Sequence, residues 1–304
     1  MLERELLTKA LNAIAQEDYP LHSRVHQLAS LDSCYIKRED ELGCLLSGSK
    51  VRKYRSLVAA LKQRGHKKVG LIGSQFSNHV LGLSSLLREN AIEPTLFLLE
   101  AKNPPSAGNA LFIQLFAAKN NIRLIAREEW HLVHEIASKS HLDCIIPEGG
   151  QVEDSVAGLT TLALDILHNE TQTGLTFKEI LIDSGTGLTA ASLIAAYGFL
   201  NKEAHIHVML AASTCDAFNQ ILKKVKQTLE TITGMPIQHM PRYTLHAPTC
   251  AKAFGSTNAT IFNTIKSTAY SEGVLLDPIY SSKLYLLLQK LLAAKELSGP
   301  TLFI

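Results

Sequence analysis

Short apolar segments alternate with helical segments along nearly the whole of this 304-residue chain. The apolar segments are strand-length and almost free of polar residues, as expected when helices cover both faces of a parallel sheet. The predicted strands are 34–37, 69–72, 95–99, 122–125, 144–146, 180–182 and 207–210. The predicted helices are 1–16, 78–88, 109–119, 130–140, 156–168, 189–199, 216–229, 257–272 and 282–295, and 238–254 is predicted to be irregular. This alternation predicts an α/β fold.

The composition excludes several classes of protein. Hydrophobic residues make up 46% and charged residues 19%, and no apolar run exceeds strand length, which excludes disorder and a membrane span. The 30 basic and 28 acidic residues nearly cancel, and no basic run carries interleaved aromatics, so we expect neither nucleic acid nor a membrane as a partner. A chain of this length is typical of two domains or one elaborate domain.

Cysteine spacing and the N-terminal segment both suggest the cytoplasm. The five cysteines form no C-x-x-C pair and no zinc-ligand spacing with the histidines, so we expect no metal site and mostly buried thiols in a reducing compartment; they are Cys34, Cys44, Cys144, Cys215 and Cys250. Segment 1–16 has charges among leucines at helical spacing and no secretory signal. It is predicted to be a surface helix of a cytoplasmic protein.

A turn of small residues delivers Lys50 to the start of a helix. Residues 47–49 are Ser-Gly-Ser, and apolar residues at helical spacing follow, from Tyr54 to Leu61. Arg52 and Lys53 add positive charge where a helix already has its positive end. Such crowding favours an anionic ligand and a neutral amine, the form that attacks a carbonyl. The alternative is a solvated basic helix start.

Two loops between a predicted strand and helix are rich in small polar residues. Ligands of parallel α/β sheets bind at such strand ends. Loop 73–79, Gly-Ser-Gln-Phe-Ser-Asn-His, offers hydrogen-bonding groups for a planar ligand, although Ser77 or Asn78 could simply cap the next helix. Loop 184–189, Ser-Gly-Thr-Gly-Leu-Thr, places glycines and consecutive N–H groups at a helix start, which predicts a phosphate site.

The second loop could also belong to a nicotinamide dinucleotide site. Gly185, Gly187 and Ala190 match the Gly-x-Gly-x-x-Ala pattern. That site requires an acidic residue at the end of the next strand, whereas this strand continues into Leu210 and Ala211. A single phosphate is therefore the better interpretation, and a nicotinamide oxidoreductase remains a distant alternative.

A reactive lysine, a polar loop and a phosphate loop together describe a pyridoxal-phosphate site. Six segments resemble, in order, the D-cysteine desulfhydrase and 1-aminocyclopropane-1-carboxylate (ACC) deaminase family, which belongs to the tryptophan-synthase-β-like group of pyridoxal-phosphate enzymes. The segments are Lys37-Arg38-Glu39-Asp40, 47–53, Gln75-Phe76-Ser77-Asn78-His79, Pro147-Glu148-Gly149-Gly150, Gly185-Thr186-Gly187-Leu188-Thr189 and 273–280. They extend over most of the chain.

The resemblance implies roles for individual residues. It makes Lys50 the lysine that carries the cofactor, Lys53 a phosphate ligand, and Asn78 the contact of the cofactor's phenolic oxygen. Ser77 would help to move the substrate proton, and Tyr280 would lie near the reacting substrate. The phosphate would be held by the loop residues Gly185, Thr186, Gly187, Leu188 and Thr189, and we include Ser281 as a candidate cofactor-binding residue.

The resemblance also implies the architecture. It predicts a three-layer tryptophan-synthase-β-like fold with mostly parallel sheets and two domains. Residues 1–52 and 161–304 would form the large domain, with 53–160 inserted as the small domain and the cofactor between them. The family further implies a homodimer.

Four departures from the family affect the expected reaction. Ser49 replaces an asparagine, which is a tolerable polar exchange. Ser281 stands where ACC deaminases resemble one another in having glutamate, and this serine favours a desulfhydrase that acts on a small amino acid such as D-cysteine. ACC deamination is the alternative. Phe254 replaces a tyrosine, and the sequence ends at Ile304, where relatives continue into a His-Thr-Gly-Gly segment. These last two features motivate a second hypothesis, a protein that binds the cofactor without turnover.

Overall fold

The computed structural model describes residues 2–12, 22–43, 48–103 and 108–304. Internal packing divides them into two compact units. Unit 1 contains the described residues 2–11 and 22–39 together with Leu159–Ile304. Asn12 belongs to unit 2. Unit 2 otherwise consists of the described part of Asp40–Gly158.

Unit 2 is built on a four-stranded parallel sheet in the order β5-β4-β3-β6. Its strands are β3 (Lys68–Ser74), β4 (Glu93–Leu99), β5 (Ile122–Ile125) and β6 (Cys144–Ile146). Its helices are α2 (Lys50–Gln63), α3 (Asn78–Glu89), α4 (Asn109–Phe116) and α5 (Val133–Ser138). Apolar residues of α2, α3 and β3, such as Tyr54, Leu71 and Leu83, are completely buried in one hydrophobic core.

Unit 1 is built on a six-stranded sheet in the order β1-β2-β10-β7-β8-β9. Its strands are β1 (Val25–Gln27), β2 (Cys34–Lys37), β7 (Glu179–Ser184), β8 (His205–Leu210), β9 (Tyr243–His246) and β10 (Thr301–Phe303). Only the β1–β2 pair of these described strands is antiparallel. The helices are α1 (Leu2–Asn12), α6 (Val156–Thr173, which begins in the last residues of unit 2), α7 (Leu188–Phe199), α8 (Cys215–Thr233), α9 (Ala259–Glu272) and α10 (Ser281–Ala293).

The predicted α/β class with mostly parallel sheets is confirmed. Strands 34–37, 122–125 and 144–146 have the predicted bounds, and the other predicted strands are extended by two or three residues. Segment 238–254 was expected to be irregular, but it contains β9. Segment 130–140 was expected to be one helix, but it divides into a 3₁₀ turn (Trp130–Leu132) and α5. Helix α1 covers part of 1–16, and residues 13–16 lie outside the described residues.

The two units differ from the predicted domains chiefly at the first boundary. A boundary at residue 53 falls inside α2, which is one unbroken helix of unit 2. Val51 and Tyr54, on either side of that boundary, are buried in the same core, so the helix cannot be divided there. The second change of unit follows Gly158, close to the predicted residue 160.

None of the helices in the described part of the chain has the length and apolarity needed to cross a membrane. Four cysteines, Cys34, Cys144, Cys215 and Cys250, are free thiols, and Cys44 lies outside the described residues. Burial, followed by the nearby charge of Asp32, raises the pKa of Cys34 to about 11. This thiol is therefore protonated and unreactive at neutral pH.

Candidate active site

Lys50 is the first residue of α2, as the sequence predicts. The preceding Gly48 has a φ of 45°, in the left-handed region that glycine tolerates best, and Ser49 provides no side-chain cap for the helix. Ser47 lies outside the described residues. The Lys50 amine makes no hydrogen bond or ion pair with any described residue, so within unit 2 it is available to react.

The charge of Lys50 affects the pKa values of two nearby nitrogen bases, Lys53 and His79. Lys53 is buried, and its Nζ donates a hydrogen bond to the Gly149 carbonyl oxygen at 2.6 Å. Burial, and then the charge of Lys50, lower the pKa of Lys53 well below its usual 10.5. Burial, followed by Lys53 and Lys50, also lowers the pKa of His79 well below 6.5. Three bases in one place favour binding of an anion.

His79 belongs to one of the six family-like segments, but it was not predicted as a site residue. Its ring packs against Gly150, where an added Cβ would lie 2.7 Å from the His79 Cε1. The Tyr54 hydroxyl donates to the His79 carbonyl oxygen at 3.1 Å and lies 3.3 Å from its Nδ1. The Nε2 is buried without a hydrogen-bond partner in the described residues. The sequence could have indicated His79 as a site residue, because it directly follows the candidate residues Ser77 and Asn78.

Ser77 and Asn78 begin helix α3. The Ser77 Oγ accepts a hydrogen bond from the Val80 N–H at 3.2 Å, so this serine caps the helix, which was one of the two interpretations of the sequence. The Asn78 Oδ1 accepts a hydrogen bond from the Asn109 side chain, and Asn109 also donates to the Phe76 carbonyl oxygen at 3.1 Å. Asn109 is 31 residues from Asn78 and had no signal in the sequence.

The predicted phosphate loop lies between β7 and the start of α7. Gly187 has a φ of 98° and precedes the first helical residue, Leu188, and no side chain caps this helix. The Ser184 Oγ is buried and has no hydrogen-bond partner among the described residues. Uncapped N–H groups at the positive end of a helix bind phosphate well, and this loop therefore fits a phosphate-bearing cofactor.

Tyr280 lies against this loop in unit 1. A Cβ added to Gly185 would lie 3.3 Å from the Tyr280 Cε1, so a larger residue there would require the ring to move by a few tenths of an ångström. Burial, then the charges of Asp183 and Asp277, raise the pKa of Tyr280 to about 12. The ring of Phe254 lies 6.1 Å from that of Tyr280, and Phe254 is exposed.

The Asp277 carboxylate fixes the start of α10. Its Oδ1 accepts hydrogen bonds from the N–H groups of Ile279 and Tyr280, both at 2.8 Å. Its Oδ2 accepts from the Ser281 N–H at 2.8 Å and the Ser281 Oγ at 2.6 Å. Asp277 was not predicted as a site residue, although an aspartate shortly before a helix start is a recognisable cap signal. Ser281 is thus held in the turn by Asp277.

The candidate residues form one group in each unit. In unit 2, Lys50, Lys53 and His79 interact electrostatically. Ser77 and Asn78 are at the start of α3, the helix that contains His79. In unit 1, Tyr280 lies against the loop from Gly185 to Thr189. A reactive amine and a phosphate loop without a side-chain cap are the donor set that pyridoxal phosphate requires, so the residues present fit this cofactor.

Relatives with assigned activities match most of the chain. It is 27% identical over 265 residues to a D-cysteine desulfhydrase of Serratia proteamaculans (strain 568), and the match covers 82% of this chain and 78% of that protein. It is 25% identical over 278 residues to a Pyrococcus furiosus protein named "Putative 1-aminocyclopropane-1-carboxylate deaminase", and that match covers 89% of this chain and 83% of the relative.

Solved structures share the fold. The structure of an ACC deaminase homologue aligns with a TM-score of 0.85 at 21% identity, covering 98% of this chain and 93% of that one. The structure of a threonine deaminase from T.th. aligns with a TM-score of 0.66 at 13% identity, covering 98% of this chain and 95% of that one. The predicted fold group is therefore confirmed.

The family described as "Pyridoxal-phosphate dependent enzyme" matches residues 18–304, which is nearly the whole sequence. The match includes all the candidate residues of both units. It supports the cofactor expected from Lys50 and the phosphate loop, and it favours that cofactor over a nicotinamide dinucleotide. The chain belongs to the pyridoxal-phosphate dependent enzymes, and pyridoxal phosphate is its cofactor.

Proposed function

We propose that this enzyme is a lyase that converts D-cysteine, or a similar small amino acid, into pyruvate, hydrogen sulfide and ammonia with the consumption of one water. The substrate would lose its α-proton and its β-thiol, which is an α,β-elimination. The similarity to the Serratia D-cysteine desulfhydrase supports this substrate class. Pyridoxal phosphate, when bound, supplies the sink for the electrons left on the α-carbon.

The proposed roles of the cofactor ligands follow from the residue chemistry. Lys50 would hold the cofactor covalently, since its amine has no other described partner. Lys53 and the loop from Gly185 to Thr189 would bind the phosphate, because both present N–H donors to an anion. Asn78 would contact the phenolic oxygen. Ser281 would support this set through the turn that it forms with Asp277.

Two side chains would take part in proton transfer, and a third would donate a hydrogen bond. The Lys50 amine would accept the α-proton of the substrate, assisted by the Ser77 hydroxyl. Tyr280 keeps its proton at neutral pH because its pKa is about 12, so it would act as a hydrogen-bond donor near the departing thiol and not as a base.

The observation that most favours elimination over ACC ring opening is the environment of Ser281. Its hydroxyl donates to Asp277 and accepts from the Asp277 N–H at 2.7 Å, so this position offers no free carboxylate beside Tyr280. ACC deaminases resemble one another in having glutamate there. ACC deamination to 2-oxobutyrate is therefore our second candidate, and the Pyrococcus relative is the observation that favours it.

The first experiment locates the cofactor. The purified protein is examined for visible absorbance, reduced with borohydride and digested, and the labelled peptide is identified by mass. We expect a pyridoxyl group on Lys50 and none on Lys53. A label on another lysine would refute the role of Lys50.

The second experiment identifies the reaction. Sulfide release from D-cysteine is compared with 2-oxobutyrate release from ACC, for the wild type and for Ser281→Glu. We expect sulfide from the wild type and a shift toward 2-oxobutyrate in the variant. A labelled Lys50 with no product from either substrate, or from other small D- or L-amino acids, would instead support cofactor binding without turnover, the hypothesis motivated by Phe254.

We also propose that the enzyme is a homodimer in the cytoplasm, as the family resemblance and the free cysteines suggest. Light scattering coupled to size-exclusion chromatography would measure the mass in solution. Cell fractionation would locate the protein.

A further inference from the structure

Two histidines and a glutamate converge at the beginning of strands β7 and β8 in unit 1. Glu179 is the first residue of β7 and pairs with His205, the first residue of β8. His207 is two residues further along β8, so it faces the same side of the sheet as His205. Glu179 and His207 are buried, and the His205 side chain is 13% exposed.

The polar atoms of the three side chains lie close enough together to hold one metal ion after small movements. The Glu179 Oε2 lies 3.0 Å from the His207 Nε2 and 3.3 Å from the His205 Nδ1, and all three atoms lie within 4.8 Å of one another. Ligands at about 2.0–2.2 Å from a tetrahedral zinc ion are roughly 3.3–3.6 Å apart. Small side-chain movements would therefore create space for an ion.

Each of the three side chains also has a hydrogen-bond partner on the side away from the proposed ion. The His205 Nε2 lies 2.8 Å from the Thr244 Oγ1, and the His207 Nδ1 lies 3.0 Å from the His246 Nε2. The second Glu179 oxygen, Oε1, accepts from Ser298 through its Oγ at 2.6 Å and its N–H at 3.1 Å. Outer partners of this kind orient metal ligands and fix which imidazole nitrogen faces the ion.

We propose that Glu179, His205 and His207 bind one divalent transition-metal ion of the zinc type. Imidazole and carboxylate ligands suit Zn²⁺, and water would complete its coordination through the opening at His205. The site is at the opposite end of β7 from the loop of Gly185 to Thr189, so its role is to join β7 to β8 and not to act in the elimination. The spacing of metal ligands along the sequence could not reveal this site, because the ligands come from two strands.

A plain hydrogen-bonded cluster is the competing explanation, and zinc titration separates the two. Holoenzyme dialysed against chelator is titrated with ZnCl₂, and bound zinc is measured by equilibrium dialysis. We expect one equivalent at saturation, with affinity at least tenfold weaker in His205→Gln. The control is His134→Gln, an exposed histidine of unit 2, which should bind as the wild type does. Zinc that binds to the cofactor should contribute equally in the wild type and in both variants. It therefore cancels when their zinc binding is compared.

Two outcomes would overturn the proposal. One is the absence of saturable binding at one equivalent, and the other is equal affinity in the wild type and His205→Gln. A readout that needs no variant is Co²⁺, which gives intense visible d–d bands with two imidazoles and a carboxylate in a four- or five-coordinate site. We expect these bands in the wild type and their loss on adding Zn²⁺. Only the weak absorption of hydrated Co²⁺ would likewise refute the site.

Discussion

The buried bases of unit 2 show how single residues prepare this enzyme for an anion. Lys53 and His79 have no carboxylate partner in the described part of the chain, and each lies within the electrostatic reach of Lys50. A buried charge without a partner is unfavourable, so both groups tend toward their neutral forms. An anionic ligand would reverse this tendency, because it stabilises the protonated forms.

The first prediction concerns His79 and acid stability. Its pKa is lowered in the folded protein, so as pH falls below about 6.5 the unfolded chain binds a proton that the folded protein does not. Folding therefore loses stability as pH falls. We expect His79 to account for a loss of about 1–2 kcal/mol between pH 7 and pH 5.

Urea unfolding of cofactor-free protein at several pH values would measure this loss. The wild type should lose stability more steeply than His79→Gln as pH falls. His134→Ala, which changes an exposed histidine, should follow the wild type. Parallel curves for the wild type and His79→Gln would contradict the prediction.

The second prediction concerns the hydroxyl of Tyr280. If it donates a hydrogen bond near the departing thiol, Tyr280→Phe should lower kcat about 100-fold, which is within the range for assistance by a positioned proton donor. Because the pKa of Tyr280 is about 12, its ionisation should produce no decline in the wild-type rate below about pH 11. Tyr270→Phe, at an exposed tyrosine, should leave kcat unchanged. Equal rates for the two variants would exclude Tyr280 from the reaction.

At the scale of the elements, the helix starts divide into two kinds. Helices α3, α8 and α9 are capped by the side chains of Ser77, Thr214 and Asn258. The N-cap residues of α2 and α7, the helices that begin at Lys50 and at the glycine loop, provide no side-chain cap, and neither do those of α4, α5 and α10. At the start of α2 the N–H groups of Val51 and Arg52 donate to the carbonyl oxygens of Gly48 and Ser49. It is therefore the start of α7 that offers N–H groups to a ligand, at some cost to the stability of that helix.

Ser77 allows capping to be separated from catalysis. Ser77→Ala should reduce stability by about 1 kcal/mol, as loss of a helix cap does, and should also slow turnover. Ser77→Asp should retain the cap but still slow turnover, because it lacks the hydroxyl. Thr214→Ala removes the equivalent cap of α8, where the Oγ1 accepts from the Ala217 N–H at 3.2 Å. It should match the stability loss of Ser77→Ala while keeping full activity.

These measurements combine thermal unfolding with the sulfide assay. If Ser77→Asp releases sulfide as fast as the wild type, Ser77 caps α3 but has no role in catalysis.

Gly158, the last residue of unit 2, lies in the first turn of α6 and is packed closely against α2. A Cβ at this position of α6 would lie 1.8 Å from the Arg52 carbonyl oxygen of α2, which is a backbone atom that cannot move aside easily. The Gly158 N–H also donates to the Ser56 Oγ at 2.9 Å. We expect Gly158→Ala to destabilise the protein by about 3 kcal/mol or more, because overpacking displaces backbone.

Gly299→Ala is the matched control. Its added Cβ would lie 3.2 Å from the Lys178 Cγ and would meet no backbone atom, so a shift of a few tenths of an ångström would relieve the contact. Denaturant unfolding should show a loss of under about 1 kcal/mol there. Similar losses at the two glycines would show that α2 and α6 can separate.

How well the sequence predicted an element depended on how its residues are buried. Strand β2 was predicted with its observed bounds because it is mostly buried, and β7 was recognised because nearly all of it is buried. Strand β9 was missed because its four residues are half-buried at the edge of the sheet and lie between Pro241 and Pro248. Lys50 and the loop at Gly187 were predictable because local sequence creates them. The contacts of Asn109 and Gly150 were not, since they depend on packing between distant segments.

At the scale of the whole molecule, buried charges hold unit 1 together across long stretches of sequence. The Asp165 carboxylate of α6 accepts from the Lys37 Nζ of β2 at 2.5 Å and from the Ser23 N–H at 3.0 Å. The Lys37 Nζ also donates to the Asn169 Oδ1 at 2.6 Å. The family-like segment 37–40 thus includes a lysine that serves to attach β2 to a helix.

Removing this carboxylate should be costly. Asp165→Asn removes the carboxylate nearest to the buried Lys37 ammonium and leaves Glu39, whose Oε1 lies 3.9 Å from the Lys37 Nζ, as the more distant counter-charge. We expect a loss of about 3 kcal/mol in the free energy of unfolding, because breaking a buried ion pair is costly. Glu135→Gln removes one partner of the exposed pair with Lys139 and should leave the free energy of unfolding almost unchanged, because water screens that pair. Chemical denaturation of both variants would check this contrast. A small loss at Asp165 would mean that other groups neutralise Lys37.

The position of β10 in the sheet affects how the protein can fold during its synthesis. This strand lies between β2 and β7, so it is the sole strand that joins the β1–β2 pair to the rest of the described sheet. Roughly 260 residues separate it from β2, and at about 5–20 residues per second the ribosome needs on the order of 10–50 s to synthesise them. During that interval β2 has no central partner, whereas all four strands of unit 2 are already made. Unit 2 can therefore fold on the ribosome, while unit 1 has to wait for residues 301–303 and exposes an open sheet edge to chaperones until they emerge.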